Sequence, residues 1–596
     1  MLKKSIGLGL LLIAGQTYSA DITVTTTEDM VKDDDQCSLR EAIEYINLGL
    51  DKKGYMGCGG ENSTTNIILK AKETYTLNKH IEITKSLSIK STDESDNEFS
   101  AVENVPGLKN AVVKVIGKDN IFRINGTDEA VLVNLNELDL TGCSDSHCAD
   151  QGGLIYNKGL LIIKNSRLLN GFANRGGAIY NAGIYANNEI SRIEVSNSLF
   201  EKNKATQGAI LYSEIPYFSL EKSVFKQNQT TDVTSANIFS QPHEKPEDVP
   251  NITAEIVSST FLKNQGGLLS IVDGIGVNNI TAVDNASQAI KFNAPEGLAY
   301  LTNSIILQNG SNDCQFANND DSILQNNLTS ASCGVGDPLH PNQIWSGAEI
   351  FSGTDSEGVC QTLAENKNAI LCPYNVPEGS FLGYLRPRIL MSYKAIEESP
   401  IVNQGRSFSS ENPAISCEAA DQRAINRLTD NIYCDRGSIE ITVPTSVRLV
   451  GQDIRAGQVA KFNIMAHLGD SDLIPKAECK ALVGEHPNGE AWQDGCLKVV
   501  QTQTVSKGKT ALDRLGNVIY TPNSAWHGAD IFEIQVITSS TRFNKNKPYL
   551  AITAQIVQAP ENKMDDKSVK TSGGSWGFAG LFMLLGLLGL RRLRQD

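Results

Sequence analysis

The chain is poor in aromatic residues, which fill 6% of its 596 positions, and it has no basic stripe. Nucleic acid has to be met by clustered Lys and Arg; 53 basic against 68 acidic residues leave a formal charge of −15, so no nucleic-acid partner is expected. The remaining composition, 40% hydrophobic and 20% charged with 50 Gly, is close to ordinary globular usage. Global disorder, a multi-span membrane protein and a collagen-like fibre are therefore not expected. There is no C-x-x-C and no nearby His pair, so a zinc site lacks its ligands. The seven histidines (His80, His147, His243, His340, His467, His486, His527) are scattered singly, without H-E-x-x-H or a triad context. No metal or cofactor is expected, and nothing selects a nucleophile.

Both ends carry addresses. Met1-Leu2-Lys3-Lys4 is positive, Ile6 to Gly15 is apolar but too short to span, and Thr17-Tyr18-Ser19-Ala20 offers small residues for cleavage. This order predicts a secretory signal peptide over 1–20, removed near position 19 or 20. At the other end Gly573-Gly574-Ser575 precedes an apolar run to Leu590 and then Arg591, Arg592 and Arg594. From Gly573 to Leu590 a helix reaches about 27 Å, barely the hydrocarbon thickness. The arginines would stop it on the cytoplasmic side. Glycines weaken such a helix, so an intramembrane protease could reach its backbone. The string Gly573-Gly574-Ser575-Trp576-Gly577 also fits G-x-S-x-G, but no strand precedes it, and a nucleophile elbow is not expected. The tail resembles the GlyGly-CTERM sorting signal of Gram-negative bacteria, which implies cleavage at Gly573, Gly574 or Ser575 by a rhomboid-type serine protease, rhombosortase. Without both ends the body carries 48 basic and 67 acidic residues, near −19.

All 12 cysteines lie in that body: Cys37, Cys58, Cys143, Cys148, Cys314, Cys333, Cys360, Cys372, Cys417, Cys434, Cys479 and Cys496. An even number in an exported chain points to disulfides. Sequence leaves their connectivity open; sequential pairing would join cysteines 5 to 21 positions apart, as an elongated fold favours.

The middle of the chain repeats. Ser198-Leu199-Phe200-Glu201-Lys202-Asn203 recurs from Ser223, from Ser259 and, as Ser304-Ile305-Ile306-Leu307-Gln308-Asn309, from Ser304; Ser166 to Asn170 is a shortened copy. Spacings of 32, 25, 36 and 45 suit a rung of roughly 20 to 25 residues with loop insertions or skipped copies. Gly176 to Asn181, Gly208 to Tyr212 and Gly266 to Leu269 lie between copies. Short strands bounded by Gly and Asn predict an all-β fold, a right-handed parallel β-helix. Phe200, Phe225, Phe261 and Ile306 should stack inside it, with the asparagines at left-handed corners joined by amide hydrogen bonds. Roughly 275 residues at about 4.8 Å per rung would make a rod about 50 Å long.

Exposed strand edges at the ends of such a coil need covers. Ser38 with Glu41 forms a capping box, and Leu39, Ala42, Ile43 and Ile46 line one face of a helix that could close the first rung. Cys37-Ser38-Leu39-Arg40-Glu41-Ala42 is matched letter for letter by the CSLREA domain that opens many bacterial surface β-helix proteins; Arg40 and Glu41 are read as capping and salt-bridging residues. Ser399 to Gly405, Cys417, Asp421-Gln422-Arg423 and Cys434 to Glu440 are similar to the closing segment of such proteins, in which a disulfide straddles the D-Q-R turn. From Ile441 onward, Tyr520-Thr521-Pro522 and Gly528-Ala529-Asp530-Ile531-Phe532 resemble bacterial cadherin-like and Ig-like modules, here without the acidic calcium clusters. The expected organisation is a signal peptide (1–20), a CSLREA cap (21–60), the β-helix with its disulfide-bonded C-terminal cap (61–440), a β-sandwich (441–558), a linker (559–572) and a transmembrane sorting tail (573–596).

This layout is similar to the rhombotarget A family. The resemblance implies an exported surface protein processed by rhombosortase, its precursor held transiently in the inner membrane, with no assigned catalytic centre. An adhesive or surface-contact role, toward a glycan or a host or environmental protein, is expected rather than an enzyme. The rival is a polysaccharide-degrading β-helix lyase or hydrolase, which needs paired carboxylates or a calcium cluster in a groove. The nearest acidic pairs, Asp320 with Asp321 and Asp145 with Asp150, read as loop tips. Asp421 and Arg423 would be the other catalytic candidates, and Thr230 to Pro250 a polar contact loop or a tolerated insertion.

Overall fold

The computed structural model describes residues 20–560 apart from several stretches, the longest being 93–109, 241–251, 351–368 and 374–384. Both terminal addresses, and with them Gly573, Gly574, Ser575, Arg591, Arg592 and Arg594, lie outside the described residues. Among those described, no helix is long and apolar enough to cross a membrane.

Contacts divide the chain into two units. The first holds residues 1–445, 468–498 and 537–550; the second holds 446–467, 499–536 and 551–596. The expected 441–558 module is thus interrupted twice by segments that belong to the first unit. Asp470 explains one of them, because Arg423 donates to both its carboxylate oxygens at 2.8 and 3.0 Å.

The first unit is a parallel β-helix. One turn of the chain runs through Leu160–Lys164, Arg167–Leu169, Phe172–Arg175 and Ile179–Asn181, and the next begins at Arg192–Ser196. Repetition builds sheets of 11, 11, 9 and 4 strands among the described residues, with neighbouring strands parallel. Alternation along each strand sends every second side chain into the lumen. Phe200 pairs with Phe225 and Phe225 with Phe261, with ring centroids 5.3 and 4.8 Å apart. All three rings are buried, as is Ile306. The 45 residues from Ser259 to Ser304 hold two turns, because Ala282 sits in register between Phe261 and Ile306. A second column, Tyr156, Tyr180, Tyr212 and Phe239, stacks on the outer side of the nine-stranded sheet at 5.3–5.5 Å.

The corners differ from expectation in one respect. The laddered asparagines Asn203, Asn228, Asn264, Asn285 and Asn309 are fully buried, and the left-handed backbone falls on the residue before each: Lys202, Gln227, Lys263, Asp284 and Gln308, with φ of 54–57°. The preceding residue turns the chain, and the asparagine then points inward to satisfy the amides of the bend. Asn170, in the shortened copy, does occupy the left-handed position. At the corner before the nine-stranded sheet Gly176 has φ +67°, and a Cβ there would lie 2.3 Å from the Ile179 carbonyl oxygen.

The first rung is closed by the helix Leu39–Asn47. Ser38 and Glu41 make the reciprocal capping box, and Leu39, Ala42, Ile43, Tyr45 and Ile46 join the core. Arg40 donates to Asp29 and to the carbonyls of Lys79 and His80, while Glu41 accepts from the Lys32 and Ser38 amides, so both are structural. At the far end the chain after Thr329 folds back on the last rung: Asp337 N–H donates to the Leu324 carbonyl, and Gln343–Ile344 pairs with Leu328–Thr329.

In the second unit a four-stranded sheet (Ser446–Ile454, Leu550–Gln558, Gly528–Ile537, Lys498–Gln503) accompanies a three-stranded one (Ala460–Asn463, Asn517–Pro522, Gly508–Leu512). Its two sequence signatures meet: Tyr520 Oη donates to Asp530 Oδ2 at 2.9 Å, and the Tyr520 and Phe532 rings stack.

Candidate functional site

Disulfides are the first test of the site residues. Cys37–Cys58, Cys143–Cys148, Cys314–Cys333, Cys417–Cys434 and Cys479–Cys496 are bonded, all between sequential cysteines. Cys372 is disulfide-bonded too, and Cys360 lies outside the described residues.

The segment around Cys417–Cys434 forms a strap. It was expected over the end of the β-helix; it reaches that end through Arg436, which donates to Asn326 and Gln343, and it also runs along the flank to Thr260 and Ser223. Gln422 Oε1 accepts from Thr260 Oγ1 at 2.6 Å, and its Nε2 donates to the Ser223 carbonyl at 3.1 Å. Further along, Ser438 N–H donates to Thr281 Oγ1, Gly437 N–H to the Asn303 carbonyl, and Arg436 to the Asn326 carbonyl and Gln343. The contacts fall at strand starts (Thr260, Thr281, Gln343) and at left-handed corners (Asn303, Asn326) of different turns. Sequence spacing could not reveal this, since the partners are 93 to 199 positions apart.

Buried charge concentrates beneath the strap. Asp421 Oδ2 accepts from Nε and Nη2 on one edge of the Arg423 guanidinium, at 2.9 and 2.8 Å, and the carboxylate also accepts the backbone N–H groups of Arg423, Ile425 and Glu440. Arg423 also holds Asp470. Burial opposes the Arg423 charge, but Asp470 and Asp421 outweigh it and keep the guanidinium protonated beyond its ordinary range. These bonds of Asp421 and Arg423 thus tie the turn to Glu440 and Asp470. Arg427 donates to Glu440 Oε2 at 3.1 Å and to the carbonyls of Asp435 and Gly437. Asp435 accepts the amides of Asn403 and Ile441. Burial nevertheless pushes the Asp435 carboxyl up to about 6. Burial, reinforced by the Asp435 charge, pushes Glu440 up to about 8.

Arg427, Asp435 and Glu440 line a cavity of about 1400 Å³, together with His340, Arg406 and Tyr433. A carboxyl that keeps its proton at neutral pH can act as a general acid. Here Glu440 Oε2 accepts from Arg427 and from the Asp435 amide, at 3.1 and 2.9 Å. Among the described residues no cluster of His, Cys, Asp or Glu could hold a metal ion.

The other acidic candidates are not brought together. Asp145, Asp320 and Asp321 lie outside the described residues. Asp150, expected at a loop tip, lies on the strand Ala149–Gln151 and accepts from Asn174 Nδ2 at 2.5 Å. Within the expected contact loop, Thr230 to Pro250, Ala236–Ser240 is a rod strand; residues 241–250 lie outside the described residues. His80 contacts Asp119 at 2.7 Å and His147 packs on Phe172. Sequence reasoning noticed Asp435 and Glu440 as part of a closing segment but missed Arg427 and Asp470. The polar texture around each gave no signal that it is buried. Searches against family models and against curated proteins give no match.

Proposed function

We propose that this is an exported protein, displayed at the cell surface or secreted, that acts through contact with a surface glycan or a host or environmental protein rather than through catalysis. In this reading the rod is a right-handed β-helix, the usual sense of parallel crossover connections. The seven strands of the second unit make an Ig- or cadherin-like sandwich. The tail 573–596 is a transmembrane sorting signal, and a rhombosortase-type protease in the inner membrane releases the precursor. The observation that carries the reading is the disulfide set, five bonds in one chain with no free cysteine among the described residues. Thiols of this number stay bonded in an oxidising compartment, outside the cytoplasm.

Mass spectrometry of the mature protein tests it. The chain should begin near Ala20 and end between Gly573 and Ser575; an intact Arg591 in the mature form would overturn the processing step. A glycan and host-protein array on the purified body then addresses the partner, and binding to neither class counts against a contact role.

Polysaccharide degradation is a second reading, favoured by one observation: Glu440, whose carboxyl burial pushes up to about 8, lines a cavity of about 1400 Å³ together with Asp435. Release of reducing or unsaturated ends from uronate polymers, lost in Glu440→Gln, supports it. No release by the intact protein removes it.

A further inference from the structure

The cavity of about 1400 Å³ is built entirely from the first unit, by Asn326 and His340 and by residues within 389–406, 425–443 and 540–544. Its wall carries a cation that the fold leaves without a counter-charge. Arg40, Arg423 and Arg427 each meet a carboxylate. Arg406, half-buried, donates from Nη1 to Gln325 Oε1 at 2.9 Å and pairs with no carboxylate among the described residues, where its other side-chain N–H groups have no partner. Gln325 Nε2 donates in turn to Asp337 Oδ2 at 2.6 Å, so the amide stands between Arg406 and that acid. Asn326, next in the chain, donates its N–H to the His340 carbonyl at 3.1 Å, which brings both residues to the same wall. Other donors of the lining residues also lack acceptors: Nε of Arg427 and Nδ2 of Asn326 and of Asn544 are buried without a hydrogen-bond partner. Arg427 is 2% exposed, and its guanidinium has no acceptor atom that a turn of the side chain could put in place of Nε. Buried donors are ordinarily satisfied, so an occupant that brings acceptors is favoured.

The lining also includes Tyr433, 54% exposed, and the exposed Glu397, together with Asp435 and Glu440. A guanidinium fork matches the two oxygens of a carboxylate. Phosphate fits the fork as well, but three carboxyls around the same cavity oppose its second negative charge. Hydroxyl groups suit Glu397 and the amides, and an aromatic ring takes the apolar face of a compact polar ligand. We infer that the cavity binds an acidic sugar unit, its carboxylate on Arg406, its hydroxyls on Glu397 and Asn544, and one face of its ring on Tyr433. Ligand pockets run to about 1,000 Å³, so this one has room for neighbouring units of a glycan chain. The inference deepens the contact reading above and rests on it: it names the class of glycan and the residue that selects it.

Titration calorimetry on the purified chain tests it, with a galacturonate trimer and sialyllactose as two sources of a sugar carboxylate, each beside its uncharged counterpart, the methyl-esterified trimer and lactose. At least one acidic probe should bind, and its counterpart about tenfold or more weakly, the loss expected when a hydrogen-bonded charge is removed. Arg406→Gln should weaken the acidic probe by about the same factor without lowering the melting temperature. Arg406→Lys should recover part of the loss, and Tyr433→Ala should weaken acidic and uncharged probes alike. Equal affinity for acidic and uncharged probes overturns the inference, as does Arg406→Gln binding as well as the unaltered chain. Should Arg406→Gln fail to fold, the uncharged probes still decide. Binding of neither acidic probe also overturns it, and the glycan and host-protein array then separates the two claims: a partner found there leaves the contact reading standing, and a blank array removes both.

Discussion

Oδ1 of Asn228 accepts twice from Asn203, once from its backbone N–H and once from its Nδ2, each at 3.0 Å. The same pair of bonds links Asn228 to Asn264 and Asn264 to Asn285. The column ends on Asp313, which accepts from Asn309 in the same way and needs no donor of its own. Asn228→Ala would leave two buried donors of Asn203 without an acceptor, at about 1–3 kcal/mol each. Thermal unfolding followed by circular dichroism should show the rod losing about 2–6 kcal/mol. An unchanged melting temperature would show that the corner amides find other partners.

The stacked rings make a separate prediction. Phe225 is fully buried between Phe200 and Phe261. Phe225→Ala empties a site whose neighbours are fixed by their own rungs, so collapse is limited and the cost should reach about 3–5 kcal/mol. Phe225→Leu keeps most of the volume and should cost less than about 1.5 kcal/mol. Denaturation of both variants checks the ratio.

How much of this was legible depended on what each residue touches. Phe200, Phe225 and Phe261 could be aligned from sequence because neighbouring rungs repeat the same environment, so one motif recurs. The rung at Thr281-Ala282-Val283 escaped, since Ala282 fills the lumen position without an aromatic signature. The buried serines Ser166, Ser198, Ser223 and Ser259 were seen as a repeat, but their chemistry was not: the Ser166 amide donates to Ser198 Oγ, Ser198 to Ser223 and Ser223 to Ser259. The strap was read as a cover for the end of the rod, but its run along the flank was not, because its partners lie 93 to 199 positions away in the chain. Asp470 was assigned to the following module, and only the distance to Arg423 returns it to the first unit.

The two units should respond to pH in opposite directions. Glu440 has a folded value raised from 4.5 to about 8. The stability linked to it is complete below 4.5 and is lost as pH rises through about 8. Asp530 differs: burial raises it, but hydrogen bonds from the Ser506 and Lys507 amides, Ser506 Oγ and Tyr520 Oη outweigh burial and lower it below 3.8. Its contribution is present above 3.8 and is lost as pH falls below that value. Hydrogen exchange of 517–536 should therefore weaken in acid, and that of 434–442 in mild alkali. Glu440→Gln should flatten the second profile alone, and Asp530→Asn the first alone.

Arg40 supplies the last prediction, at the opposite end of the rod. Its Nε and Nη2 meet Asp29 at 2.7 and 3.0 Å, and the remaining N–H groups reach the carbonyls of Lys79 and His80 at 2.8 and 3.0 Å. Asp29 is the more confined partner, its side chain 2% exposed, and it also accepts the Asn78 amide at 2.6 Å. One guanidinium thus ties the capping helix to the chain before it and to the first rung after it. Arg40→Ala removes the cation and leaves the carboxylate buried, which should cost about 3–5 kcal/mol. Lysine carries the charge but lacks the planar fork, so Arg40→Lys cannot serve Asp29 and both carbonyls together and should recover less than half of the loss. Exchange should rise over 20–47 and 63–83, with the rungs beyond 160 unaffected, because each rung is held chiefly by its neighbours. Full protection in Arg40→Lys would reduce the interaction to its charge. Loss of protection along the entire rod would show that the helix governs the cooperativity of the coil, not only its first edge.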